Sequence, residues 1–172
     1  AAFLPTTRAA CEARGWQSLD VIFVTGDAYV DHPSFAAALL GRMLEAEGLR
    51  VGVIARPDPE ADDVALLGEP RLFFAIAAGA VDSMINNYTA QKRRRSDDDY
   101  APGGRGGRRP DRATIVYANA LRRLFGRGVP IVAGGLEASL RRFSHYDFWS
   151  DRVRRSIALD APVDALVHGM GE

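Results

Sequence analysis

Five short apolar runs punctuate the chain, at residues 21–25, 50–54, 72–77, 129–133 and 163–167. Each is rich in β-branched or aromatic residues and is bounded by Gly, Pro or Asp. None alternates cleanly with polar residues. A strand with one wet face alternates, whereas a strand buried on both faces reads as a continuous apolar run. The five runs therefore predict a parallel sheet covered on both sides. Between them the period changes. Over 34–47, Phe35, Leu39, Met43 and Ala46 recur at helical spacing, with Pro33 and Ser34 suited to the start and Gly48 to the end. Over 111–126, Ile115, Ala118, Leu121 and Phe125 share one face. Asp111 is placed to cap that helix and Gly126 to end it. Residues 79–88 and 137–142 read as shorter helices. Strand–helix–strand alternation implies right-handed βαβ units. The predicted class is α/β, a three-layer sandwich around a five-stranded parallel sheet in the flavodoxin-like order 2-1-3-4-5.

Residues 91–112 break the pattern. They hold the basic run Lys92–Arg95, then Asp97, Asp98 and Asp99, then a glycine-rich stretch at 103–107. Such a composition cannot bury an apolar core, so it is expected to form a long polar surface loop within one α/β module spanning 1–172.

Composition narrows the picture slightly. With 172 residues, 47% apolar and 26% charged, the chain matches an ordinary globular domain. Its 22 basic and 22 acidic residues cancel, so bulk charge predicts neither nucleic-acid nor membrane binding. No apolar run is long enough to span a bilayer. The opening Ala1-Ala2-Phe3-Leu4-Pro5 lacks the build of a signal peptide, which makes a cytoplasmic location the expectation. The missing initiator Met points to a trimmed start. Cys11 is the single cysteine and cannot by itself form a disulfide, a zinc site or an iron–sulfur site.

Candidate chemistry lies in the loops after the strands, because open parallel sheets bind ligands beyond their carboxyl ends near the switch point. The first such loop supplies Thr25, Gly26, Asp27, Asp31 and His32. The third supplies Gly79, Asp82 and Ser83, and the fourth Gly134, Gly135, Glu137 and Ser139. Residues 168–172 follow the last strand. Glycines permit close approach of a ligand, and helix N-termini favour anions. These groups are expected to border one cleft, and Asp27→Ala or Glu137→Ala to spare the fold while impairing function. The competing reading is structural: the glycines make ordinary turns, and Asp31 or His32 caps the next helix. No dinucleotide, P-loop or nucleophile-elbow motif is present, and no catalytic residue is assigned. Arginines interleave with aromatics over 141–155. Such a stretch can stack bases and grip phosphates, or it can dock another domain of the same chain. Since acids balance these arginines, docking is the expectation. An RNA- or nucleotide-binding module and a plain domain-interaction unit are the alternatives to an accessory role.

Several long motifs carry a resemblance. Residues 24–35 read Val-Thr-Gly-Asp-Ala-Tyr-Val-Asp-His-Pro-Ser-Phe, and 82–90 hold Asp-Ser-Met-Ile-Asn with Tyr88-Thr89-Ala90. Further on come Arg109-Pro110-Asp111-Arg112-Ala113-Thr114, the run Gly134-Gly135-Leu136-Glu137-Ala138-Ser139-Leu140-Arg141-Arg142, and His145-Tyr146-Asp147-Phe148-Trp149-Ser150-Asp151. Together they resemble the opening part of the YgiQ-type radical SAM (S-adenosylmethionine) family. The resemblance implies a longer parent in which a barrel follows residue 172, carrying a C-x-x-x-C-x-x-C motif for a [4Fe–4S] cluster that binds S-adenosylmethionine. The motif is absent here, so no cluster ligand is carried over and no cofactor is expected within this stretch. The barrel of the same chain is the implied partner. The layout is also similar to cobalamin-binding domains that precede such barrels. Their D-x-H-x-x-G motif is not met, because Val30 lies two before His32 and Phe35 three after, so cobalt ligation by His32 is not expected.

Overall fold

The computed structural model describes residues 2–171. Ala1 of the N-terminal reading and Glu172 of the last post-strand loop lie outside the described residues. In chain order the elements are α1 (Arg8–Glu12), β1 (Val21–Thr25), α2 (Ala36–Ala46), β2 (Val51–Ala55), β3 (Phe73–Ala77), α3 (Ser83–Asn87), α4 (Ala113–Phe125), β4 (Ile131–Gly134), α5 (Gly135–Leu140), β5 (His145–Asp147), β6 (Arg152–Arg154), α6 (Ile157–Asp160) and β7 (Ala165–Leu166). Two short 3₁₀ turns, Asp63–Ala65 and Pro102–Gly104, lie in connections.

Strands β2-β1-β3-β4-β7 form one five-stranded sheet, and every neighbouring pair is parallel. Read with β7 as the fifth strand, this is the flavodoxin-like order. The sheet's switch point falls between β1 and β3, where the chain first steps to β2 and then returns to the other side. Register sorts the side chains. Ile22, Phe74 and Ile131 align, as do Val24 and Ile76, and they point to one face, where Tyr117, Ala118 and Leu121 of α4 cover them. Val21, Phe23, Val51 and Val53 point to the other face, under Leu4 and α2. Burying these β-branched residues on two faces stabilises the sheet by about 1.5–3 kcal/mol per large side chain.

Helix starts depart from the sequence reading. Helix α2 begins at Ala36 behind Phe35, which makes no side-chain cap. Helix α4 begins behind Arg112, whose φ of 52° is left-handed, and Asp111 does not cap it. Asp111 instead accepts hydrogen bonds from Asn87 Nδ2 at 2.9 Å and Tyr88 Oη at 2.7 Å. The first amides of α4 find distant partners: Ala113 N–H donates to Ser83 Oγ and Thr114 N–H to Glu137 Oε1. A cap supplied across the fold has no local signature, so the nearest acid was the natural but wrong choice.

The segment 91–112 is mostly exposed but does not simply run over the surface. Isolated bridges join Tyr88 to Arg94 and Asp97 to Arg105, and Tyr100 carries the acceptor for the Ala28 amide. Asp98 is 3% exposed and Arg109 is 1% exposed. The segment buries charge where it cannot bury an apolar core. Within the stretch of interleaved arginines and aromatics over 141–155, residues 145–147 and 152–154 pair as the antiparallel hairpin β5–β6. It carries exposed Phe143, Tyr146, Phe148 and Val153.

Candidate functional site

Because the strands are all parallel, their following loops meet at one edge. At the switch point the contact is intimate. Gly26 N–H donates to the Ala77 carbonyl, and a Cβ on Gly26 would collide with the Ala78 carbonyl oxygen. Gly79 has φ +136°, and a Cβ there would run into both the Asp27 carboxylate and the Arg109 guanidinium. Only glycine lets the post-β1 and post-β3 loops close on each other.

Asp27 sits in this closure at 4% exposure. Its backbone N–H donates to Thr25 Oγ1 at 3.2 Å. One carboxylate oxygen accepts from Arg109 Nη2 at 2.5 Å and the other from the Ala80 amide at 2.7 Å. Arg109 is wholly buried. It also donates to the Ala78 carbonyl at 3.2 Å and lies 3.6 Å from Asp98. Asp98 in turn accepts from Arg56 Nη1 at 2.7 Å and from the Tyr100 amide at 2.9 Å. Two arginines and two carboxylates thus neutralise one another out of water, the condition under which buried charge is tolerated. The carboxylates are not equivalent. Burial pushes the Asp27 carboxyl up, against the pull of Arg109, and the Asp98 charge adds to the rise. Burial also opposes ionisation of Asp98, but Arg56, the Tyr100 amide and Arg109 outweigh it and hold that carboxyl below its ordinary value. Of the two, Asp27 keeps its proton to higher pH.

A cavity of about 200 Å³ opens beside Asp27, walled by Thr25, Tyr29, Gly79, Gly135 and Leu136 among others. It lies at the switch point, where this sheet architecture places ligands. A larger apolar groove of about 540 Å³ runs along the α2 face and touches Gly134 and Gly135.

Three of the remaining predicted residues, Asp82, Ser83 and Glu137, form a second buried group. Glu137, 1% exposed, accepts from Ser83 N at 2.8 Å, Ser83 Oγ at 2.5 Å and Thr114 N at 3.0 Å. It ties α3 to α4 from α5. Asp82 caps α3 through the Met84 amide at 2.9 Å and pairs with Arg141 at 2.8 Å. Arg141 also reaches Asp147 at 3.4 Å, which Arg112 meets at 2.7 Å. Burial works against the Asp147 charge, yet the Ser150 and Arg112 hydrogen bonds prevail and hold the carboxyl far below the usual range. Glu137 borders only a void of about 10 Å³, so the expected single cleft divides into an open group around Asp27 and a closed group around Glu137. Asp31 and His32 join neither. Asp31 pairs with Arg42 in a fork and accepts from Tyr29 Oη at 3.0 Å. His32 is exposed, with Nδ1 accepting from the Ser34 amide at 3.2 Å. Ser139 Oγ accepts from the Gly169 amide at 3.1 Å, linking α5 to the loop after β7.

Arg56, Asp98 and Arg109 were missed by the sequence reading. Arg56 directly follows β2, so extending the post-strand rule to that loop would have found it. Asp98 and Arg109 lie in the stretch read as surface. Several side chains of the basic runs make contacts within the domain: Lys92 Nζ lies 4.7 Å from the Phe148 ring centre, Arg94 approaches Asp111 at 3.8 Å, and Arg154 and Arg155 both pair with Asp160. Cys11 is buried in the α4-side core, and burial pushes its thiol up. Among the described residues no group of three His, Cys, Asp or Glu could hold a metal, so they do not fit an iron–sulfur cluster. No described helix is long and apolar enough to cross a membrane.

Known proteins resemble this chain along its whole length. A UPF0313 protein of Thermotoga petrophila is 62% identical over 171 residues, covering 99% of this chain and 30% of the relative. Its counterpart in Pseudomonas aeruginosa is 57% identical over 173 residues, covering 100% of this chain and 23% of that protein. A third, from Methanocella arvoryzae, is 58% identical over 167 residues, covering 96% and 28% respectively. The chain thus spans less than a third of the length of these relatives. No solved structure matches it. A family profile described as Radical SAM N-terminal matches residues 3–172, and the chain belongs to the Radical SAM N-terminal family.

Proposed function

We propose that this module is the accessory N-terminal domain of a radical SAM enzyme of the YgiQ type, and that its carboxyl-edge loops help to enclose substrate or cofactor over a barrel elsewhere in the protein. The observation that carries the reading is the cavity beside Asp27 at the β1/β3 switch point, with walls from three post-strand loops. The module supplies no catalytic residue of its own. A [4Fe–4S] cluster and S-adenosylmethionine would be held by the remainder of the full-length protein, because Cys11 stands alone and buried on the α4 side. Cobalamin is not assigned to the module, since exposed His32 already engages the Ser34 amide. The exposed Phe143, Tyr146, Phe148 and Val153 on the hairpin fit a contact with the rest of the same chain. A cytoplasmic site of action accompanies this reading.

Blocking the cavity without touching the buried charges tests the proposal. Leu136 is 44% exposed at the cavity wall, so Leu136→Trp narrows the opening at little cost to the fold. In the full-length protein, purified and reconstituted without oxygen, iron content should be unchanged. Reductive cleavage of S-adenosylmethionine to 5′-deoxyadenosine should fall about tenfold, a loss of roughly 1.4 kcal/mol in barrier lowering. Unchanged cleavage at unchanged iron content would remove the cavity from the reaction chamber.

A further inference from the structure

The two faces of the sheet are covered unequally. On the α4 side, Phe74, Ile76 and Ile131 are at most 2% exposed. On the α2 side, β1 and β2 lie under α2, while Phe73 and Val132 of the next two strands remain partly exposed. The 540 Å³ groove runs there, between Leu40 and Met43 of α2 and Val167 and Met170 beyond β7. Met43 is 43% exposed, Val167 42% and Met170 83%. A parallel sheet requires cover on both faces, and an apolar strip of this kind marks an interaction surface.

The path of the chain indicates what covers it. After β7, Val167 N–H donates to the Ala133 carbonyl, continuing the ladder. The backbone then leaves the sheet edge and turns over this face. A Cβ built on Gly171 would lie 3.5 Å from Val167 Cγ1 and 3.8 Å from Leu40 Cδ1. The last described residues are therefore already within the groove, heading from the β7 edge towards α2. The relatives are more than three times as long as the matched stretch, and the matching family is an N-terminal one. More chain thus follows residue 172 in these proteins.

We infer that the groove is the seat of the segment immediately after residue 172, which forms an amphipathic helix packed beside α2 and completes the second layer of the sandwich. A helix is required because backbone polar groups laid on an apolar face must be paired internally. Helix α2 crosses the same sheet with 11 residues, and a strand of five residues spans about 17 Å, which about 11 helical residues match. The new helix is thus about as long as α2 and runs antiparallel to the strands. Its apolar stripe faces Phe73 and Val132. This inference concerns the α2 face and does not depend on the accessory role proposed for the carboxyl edge.

The test uses the full-length protein with Met43→Cys, which shortens a half-exposed side chain at the groove's rim. Leu159→Cys, at a position 66% exposed on α6, serves as the open reference. Thiol labelling followed by peptide mapping should be about tenfold slower at position 43 than at 159. A short photo-activated cross-linker attached at position 43 should join the first 25 or so residues after 172, the reach of a loop and one such helix. Equal labelling at the two positions would overturn the inference. So would cross-links to a more distant part of the chain, or to a second copy in a mixture of isotopically light and heavy protein.

Discussion

Two groups of buried charge organise the loops of this domain, and what lies beside them differs. Asp27, Arg109, Asp98 and Arg56 gather at the switch point next to an open cavity. Asp82, Arg141, Asp147, Arg112 and Glu137 form the second group, where Arg112, Glu137 and Arg141 border only a void of about 10 Å³. Both groups satisfy charge inside the protein, so burial and pairing alone do not mark a functional site. The distinguishing features are room for a ligand and a carboxyl group held in tension. Asp27 has both, with its ionisation resisted by burial. Glu137 lacks the room, and its carboxylate is committed to Ser83 and Thr114.

Substitutions can break this contrast. The largest effect is expected from Arg109→Met, which leaves Asp27 and Asp98 buried without their shared cation. The domain should lose about 3–5 kcal/mol, the usual cost of removing one partner of a buried pair, read as a lower denaturant midpoint. Next comes Glu137→Gln. It keeps the shape but turns an amide donor towards other donors and should cost about 2–3 kcal/mol. With these partners in place, Glu137→Ala is also expected to lower stability, where the sequence alone led to the expectation that the fold is spared. A loss below 0.5 kcal/mol would show that α3, α4 and α5 do not depend on this junction.

Acid titration sharpens the comparison further. Asp98 and Asp147 have folded values below the ordinary 3.8. Their contribution to stability is present above about pH 4 and is lost as pH falls through those lowered values. Asp27 has the opposite sign. It favours the folded state at acid pH and loses that contribution as pH rises through its raised value. Wild type should therefore weaken below pH 4, whereas Asp27→Asn should flatten the decline on the neutral side of that pH. Denaturant midpoints from pH 3 to pH 7 measure both slopes, and identical slopes for wild type and variant would contradict the assignment. The smallest effect belongs to Asp31→Ala. Its pairing with Arg42 is partly exposed and screened by solvent, so only a slight fall in the denaturant midpoint is expected, with no change in S-adenosylmethionine cleavage by the full-length protein.

Sheet and helices were readable because they depend on periodicity. The run at 21–25 coincides with β1, and the helical stripe from Ile115 to Phe125 belongs to α4. The parallel order followed from alternation, and with it the meeting of the post-strand loops. Charge pairing left no such trace. The contact between Asp27 and Arg109 joins positions 82 residues apart, and no local pattern announces it. The glycines and acids of 91–112 looked like solvated chain because low apolar content usually means that, and Asp98 is buried by its partners, not by its neighbours in sequence. The hairpin β5–β6 was hidden for a related reason. With Tyr146 and Val153 both outward, its strands do not show the apolar face that marks a strand.

The reach of that Asp27–Arg109 clasp also sets an order of assembly. All three strands around the switch point, β1, β2 and β3, precede Arg109 in the chain, and closing an 82-residue loop carries an entropic cost that only a formed sheet can offset. During synthesis from the N-terminus, the central strands emerge and pair before their fastening arginine exists. The carboxyl edge is then the last part of the first three strands' neighbourhood to become rigid. A nascent chain stalled before residue 109 would hold a sheet whose edge loops are still open to proteases, and the same chain released past α4 would have closed them.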